Sequence, residues 1–230
     1  MGDAEFAARR GLSIHLANRH GTVSENTPVV FVIDDNPSVR EALDSLIRSV
    51  HLDVQSFGST DEFLQFERPE APGCIILDVR LPGLSGLDFQ REMVKSNIDL
   101  PVIFITGHGD VPMSVRAIKA GAIEFLTKPF RDQDLLDAIY LGIARDRARR
   151  QSAVIVGVVR GHFASLTSRE RQVMQRVAAG RPNKQIAAEL NLSEVTVKVH
   201  RRHVMQKMRA KSLADLVRMA DKLLGGAETV

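Results

Sequence analysis

A chain of 230 residues is long for one domain and suits two modest ones. With 44% hydrophobic and 26% charged residues it has the make-up of a folded globular protein, which excludes wholesale disorder, and its apolar runs fall far short of the ~18 to 20 residues of a membrane helix. The formal charge of +3 hides a polarity: residues 1–143 carry 13 Lys and Arg against 21 Asp and Glu, or −8, and residues 144–230 carry 18 against 7, or +11.

Residues 1–27 lack the apolar core of a secretory signal and read as a flexible N-terminal extension. From Thr27, short β-rich runs alternate with longer amphipathic ones. Val29–Ile33, Leu52–Phe57, Cys74–Val79, Pro101–Thr106 and Ile123–Leu126 read as strands. Between them, Pro37 opens a helix whose apolar stripe is Val39, Leu43, Leu46, Ile47 and Val50; Phe63–Phe66, Leu87–Val94, Val115–Ala120 and Leu135–Ile143 supply four more. Five βα units with near-continuous apolar strands predict an α/β fold, a doubly wound five-stranded parallel sheet covered on both faces, over residues 28–143. Cys74, the single cysteine, lies in an apolar run, so neither a disulfide framework nor a thiolate metal cluster is expected, and a reducing cytoplasm fits.

Residues 144–162 read as a linker. Its basic opening and the apolar residues Ile155, Val158 and Val159 make it a candidate helix, while Gly157, Gly161 and the β-branched residues oppose one. A small all-α domain follows at 163–226. Thr167 and Glu170 form a capping box, Gly180 closes that helix, and Asn183–Leu190 makes a short second one. Asn191 is a left-handed turn candidate, Ser193 caps a third helix reaching about Met208, and Ser212–Leu223 makes a fourth. The second and third helices fit a helix-turn-helix.

In a doubly wound sheet the carboxyl ends of the strands build the site. Those ends bring together Asp34, Asp35, Asp78, Thr106 and Lys128. Crowded carboxylates need a proton or a cation, and oxygen ligands with open water positions suit Mg²⁺. Carboxylate, Mg²⁺, hydroxyl and ammonium are the parts of phosphoryl transfer to an aspartate, with the central Asp78 as nucleophile. For Asp34 and Asp35 the alternative is a helix N-cap before Pro37, and Phe125 taken by itself reads as a core strand residue. At the basic end, Val197, Val204 and Met208 face a core, and Lys198, Val199 and Arg202 lie on the other side, placed to read base edges. Lys184, Thr196 and Lys207 are candidate phosphate contacts, and a solvated basic surface is the alternative.

The motifs Val-Ile-Asp34-Asp35-Asn, Leu-Asp78-Val-Arg-Leu-Pro82-Gly-Leu-Ser-Gly86, Ile-Thr106-Gly-His and Leu-Thr-Lys128-Pro129-Phe resemble the receiver domain, a flavodoxin-like fold, of two-component response regulators. The resemblance implies that Asp78 accepts phosphate from a sensor histidine kinase. It further implies that Asp34, Asp35, Asp78 and the Arg80 backbone carbonyl hold Mg²⁺, Lys128 meets the phosphoryl group, and Thr106 and Phe125 switch. It also implies a cis bond before Pro129. Leu-Thr-Ser-Arg-Glu170, Asn183-Lys-Gln-Ile-Ala187 and Val-Thr196-Val-Lys-Val-His200-Arg are similar to the LuxR-type helix-turn-helix, and the combination is that of the NarL/FixJ class. The expected protein is a cytoplasmic, phosphorylation-controlled transcription regulator that binds double-stranded promoter DNA, forms a homodimer when phosphorylated, does not engage a membrane, and acts chemically only on its own aspartate. A metal-dependent phosphohydrolase with a basic nucleic-acid-binding domain is the rival reading, and phosphorylation-independent DNA binding a third.

Overall fold

The computed structural model describes residues 27–225 apart from Leu84, so the expected N-terminal extension lies outside the described residues. The strands are β1 (Val29–Ile33), β2 (Asp53–Phe57), β3 (Gly73–Asp78), β4 (Val102–Thr106) and β5 (Glu124–Thr127). They pair in parallel in the order β2-β1-β3-β4-β5. The helices between them are α1 (Pro37–Ser49), α2 (Thr60–Gln65), α3 (Gly86–Lys95) and α4 (Val111–Lys119). Then come α5 (Asp132–Ala164), α6 (Ser168–Ala178), α7 (Asn183–Leu190), α8 (Glu194–Lys207) and α9 (Leu213–Gly225).

The two-residue period of a strand sorts the apolar run of β1 onto both sheet faces. Val29, Phe31 and Ile33 join Ile75, Leu77 and Phe104 on one face, where Phe63 of α2 and Phe89 and Met93 of α3 cover them. Val30 and Val32 join Ile76, Ile103 and Ile105 on the other, under Leu43 and Ile47 of α1 and Leu135, Ile139 and Ile143 of α5. A run apolar at every position is therefore consumed on two sides at once, as a parallel sheet requires. The chain crosses from β1 to β2 on one side and back to β3 on the other, which opens a crevice between the carboxyl ends of β1 and β3.

Local caps set several helix starts earlier than apolar periodicity indicates. Ser59 Oγ accepts the Glu62 N–H, so α2 begins at Thr60; Asp110 Oδ1 accepts the Met113 N–H at 2.7 Å, and α4 begins at Val111. Asn36, whose Oδ1 accepts the Ser38 N–H, is the N-cap of α1, and Asp34 and Asp35 are thereby left to the crevice.

The stretch 144–162 is the second half of α5, which runs unbroken for 33 residues. Its first half packs on the sheet, and Val159 and Phe163 enter the core of the C-terminal helices with Val173, Ile186, Val197, Val204 and Leu216. Between these anchorages, Gln151–Ile155 is exposed on every side. Buried Asp146 fastens the helix to the start of β3: Oδ2 accepts the Gly73 N–H at 3.0 Å and Arg150 Nε at 2.7 Å, and Oδ1 accepts Arg149. In the C-terminal domain the capping box forms as expected, Asn191 takes φ 53°, and Ser193 caps α8.

Candidate functional site

Asp34 follows β1, Asp78 ends β3, Thr106 ends β4 and Lys128 follows β5, so the sheet register alone brings residues 94 positions apart to one edge. Lys128 Nζ bridges two carboxylates, at 2.7 Å from Asp34 Oδ2 and 3.0 Å from Asp78 Oδ2. Asp34, Asp35 and Asp78 each present an oxygen within 4.8 Å of the others. Asp34 is fully buried, Asp78 nearly so, and Asp35 is open to solvent. Arg40 donates to the Asp34 carbonyl at 2.6 Å and the Asn36 N–H donates to Asp34 Oδ1, which holds the carboxylate facing Lys128. The Arg80 N–H donates to Asp78 Oδ1 at 3.0 Å.

Burial pushes the Asp34 carboxyl above the usual range, and the charge of Asp78 adds to the effect, while Lys128 and the Asn36 N–H pull the other way. Burial alone would lower Lys128, yet its contacts with both aspartates outweigh that and hold its ammonium above the ordinary value. The cluster thus carries surplus negative charge that one ammonium does not neutralise. Three oxygen donors, one of them open to water, are the set a hard divalent cation such as Mg²⁺ takes, and the residues fit it.

Gly86, at the start of α3, lies against this site: a Cβ there would stand 2.5 Å from the Asp78 carbonyl oxygen. Thr106 is buried and its Oγ1 accepts the His108 N–H at 3.2 Å. The half-buried Phe125 ring is tilted against Phe104 at 6.3 Å between centroids. A Cβ on Gly109 would meet Phe125 Cε1 at 2.8 Å, Thr127 Cγ2 at 2.7 Å and Thr106 Cγ2 at 3.2 Å. The loop after β4 therefore closes over Thr106 and Phe125 because residue 109 has no side chain. The Lys128–Pro129 bond is cis.

In the C-terminal domain, α7, the turn at Asn191 and α8 form a helix-turn-helix. Val197, Val204 and Met208 are buried, and Lys184, Lys198, Val199 and Arg202 are exposed. Thr196 is half buried, with its hydroxyl 2.8 Å from that of the cap residue Ser193. Lys207 sits apart from that surface: its ammonium donates to Glu170 Oε2 at 2.7 Å and ties α8 to α6. The carboxylate of Glu170 stays below the ordinary range, since Lys207 and the Thr167 N–H outweigh the opposing effect of burial. Arg201, which bonds Asn183 Oδ1 at 2.8 Å, and Arg176, which bonds Glu189, lock α7 to α8 and α6 to α7. Sequence reasoning did not single out Arg40, Asp146 or Arg201. Only Asp146 left a signal, a lone acid inside the basic run Arg145–Arg150.

Residues 30–140 match the family described as "Response regulator receiver domain", and residues 164–220 match "Bacterial regulatory proteins, luxR family". Nodulation protein W of Bradyrhizobium diazoefficiens is 54% identical over 202 residues, covering 88% of this chain and 89% of that one. Response regulator protein TodT of Pseudomonas putida is 46% identical over 206 residues, covering 90% and 91%. The solved structure of response regulator StyR matches at a TM-score of 0.72 with 50% identity, over 85% of this chain and 99% of that one.

Proposed function

The chain belongs to the response regulators of the NarL/FixJ class, two-component transcription regulators that join a receiver to a LuxR-type DNA-binding domain, and we propose that phosphorylation of Asp78 governs its binding to promoter DNA. The observation that carries this reading is the pair of contacts from Lys128 to Asp34 and Asp78, an ammonium already seated where a phosphoryl group on Asp78 would place its oxygens.

An Asp78 carboxylate oxygen attacks the phosphorus of a phosphohistidine on the sensor kinase; the P–O bond forms as the P–N bond breaks, and the freed imidazole takes up a proton. Asp34, Asp35, Asp78 and, by family resemblance, the Arg80 carbonyl would hold Mg²⁺, which when bound neutralises charge on the transferred group. Lys128 exchanges its Asp78 contact for a phosphoryl oxygen and keeps Asp34. Thr106 leaves the His108 N–H for another phosphoryl oxygen, and the Phe125 ring moves into the vacated space. The chemistry of the site is confined to its own aspartate: the acyl phosphate forms from the phosphohistidine and is then hydrolysed. The changed surface around α4, β5 and α5 pairs two receivers, and two helix-turn-helix units then bind together with high effective concentration. Lys198, Val199 and Arg202 read bases; Lys184 and Thr196 hold phosphates, while Lys207 supports α8 from behind through Glu170. A cytoplasmic setting follows from DNA as the target, and the buried free thiol of Cys74 is compatible with it.

The test is DNA affinity and oligomeric mass, with and without BeF₃⁻ and Mg²⁺, on wild type and Asp78→Asn. Tighter DNA binding and a doubled mass in wild type alone are expected. Equal DNA affinity in all four samples would overturn the coupling, and sustained Mg²⁺-dependent turnover of an external phosphate ester would overturn the confinement of chemistry to Asp78.

A further inference from the structure

Outside the receiver site, a second set of ligating side chains converges between α6 and α8. At 100° per residue, His200 and His203 lie on the side of α8 opposite Lys198 and Arg202, next to the core stripe of Val197 and Val204. Glu170, buried at the start of α6, points its carboxylate at them. One oxygen of that carboxylate is fully engaged: Oε2 accepts the Thr167 N–H at 2.8 Å and Lys207 Nζ at 2.7 Å. The other, Oε1, has His203 Nδ1 at 3.7 Å, too far for a hydrogen bond. His200 Nδ1 is sealed from solvent without a hydrogen-bond partner. A carboxylate oxygen and one ring nitrogen from each histidine stand within 4.8 Å of one another, and one of these histidines, His200, is the one whose Nδ1 lacks a partner.

We propose that Glu170, His200 and His203 form a site for a divalent transition ion of the zinc, cobalt and nickel class, separate from the Mg²⁺ site of the receiver. Two imidazoles and one carboxylate suit those ions and disfavour Mg²⁺ and Ca²⁺, which take oxygen ligands. Bond lengths of roughly 2.0 to 2.2 Å require the three atoms to draw closer, and the His203 side chain, 49% exposed, is free to turn inward. That exposure leaves a fourth coordination position open to water. Lys207, on the far oxygen of the same carboxylate, opposes the ion's charge and sets the affinity below that of a closed structural zinc site. Occupancy would fasten the start of α6 to the middle of α8 and so stiffen the mounting of the helix that presents Lys198 and Arg202.

The probe is Co²⁺ added to the untagged full-length chain in excess Mg²⁺. One Co²⁺ per chain, with a visible absorption band that Zn²⁺ displaces, is expected. His203→Gln, a change at a half-exposed side chain whose fold circular dichroism verifies, should weaken binding by at least about tenfold, a loss that even a supporting partner of a ligand produces. Asp34→Asn/Asp35→Asn, which dismantles the receiver site, should leave the band unchanged. No stoichiometric band in wild type, a band undiminished in His203→Gln, or a band lost in the Asp34/Asp35 variant would each overturn the assignment.

Discussion

Replacing Asp146 should loosen α5 from the sheet, and the structure sets the size of the effect. The carboxylate is wholly buried and accepts the Gly73 N–H together with Arg149 and Arg150, whose side chains are 39% and 34% exposed. Asp146→Ala strands the Gly73 N–H without an acceptor, a loss of about 1–3 kcal/mol for a buried donor. It also releases two guanidinium groups; because both reach solvent, each pairing contributes only about 0.5 kcal/mol. The sum is about 2–4 kcal/mol, a large share of the ~5–15 kcal/mol that separates folded from unfolded states in a domain. Asp146→Asn keeps an oxygen for Gly73 and should cost about half as much. Urea denaturation followed by circular dichroism on both variants measures this. An Asp146→Ala midpoint corresponding to less than about 1 kcal/mol would refute the claim that this carboxylate fastens the helix.

Gly109→Ala forces a methyl group into the space shared by Phe125, Thr127 and Thr106 and should destabilise the receiver by about 1–3 kcal/mol; partial recovery in Gly109→Ala/Phe125→Leu, by thermal melting, would identify the ring as the obstacle. Lys198→Ala and Arg202→Ala should leave stability within about 0.5 kcal/mol of wild type while weakening DNA binding. Lys207→Ala should instead lower stability by about 1–3 kcal/mol by leaving buried Glu170 without its cation, as paired melting and fluorescence-anisotropy titrations would reveal. Burial pushes the Cys74 thiol up to about 12, against an ordinary value of 9.0. The folded chain keeps that proton where the unfolded chain loses it, so this contribution to stability is complete below pH 9 and declines as pH rises towards 12. Native protein at pH 8 should therefore resist a disulfide reagent, and labelling at a rate above that of unfolding would contradict the burial.

The division between what was readable in the chain and what was not follows the range of the forces involved. Strand runs, the Thr167–Glu170 box, the left-handed Asn191 and the Ser193 cap are local, set by backbone sterics and side chains three or four residues apart, and they stand in the structure where the residues indicate. Asp34, Asp78, Thr106 and Lys128 were legible because a parallel sheet puts successive strand ends on one edge. The starts of α2 and α4 were set by caps rather than by apolar periodicity, and the period therefore placed them late.

Gly157, Gly161 and the valines around them argue locally against a helix, yet α5 passes through them without a break. Asp146 on Gly73 and Val159 in the C-terminal core hold its two ends, and tertiary anchorage of that size outweighs a propensity deficit of about 1 kcal/mol per glycine. Lys207 shows the same limit. Its charge and spacing suit a phosphate contact, but Glu170, 37 residues earlier, takes up its ammonium. The chain by itself determined the elements, their caps and the acidic edge, because those depend on neighbours in sequence or on one sheet rule. Only the folded molecule decided which charges are spent inside it and how far α5 extends, because those depend on groups that meet solely through packing.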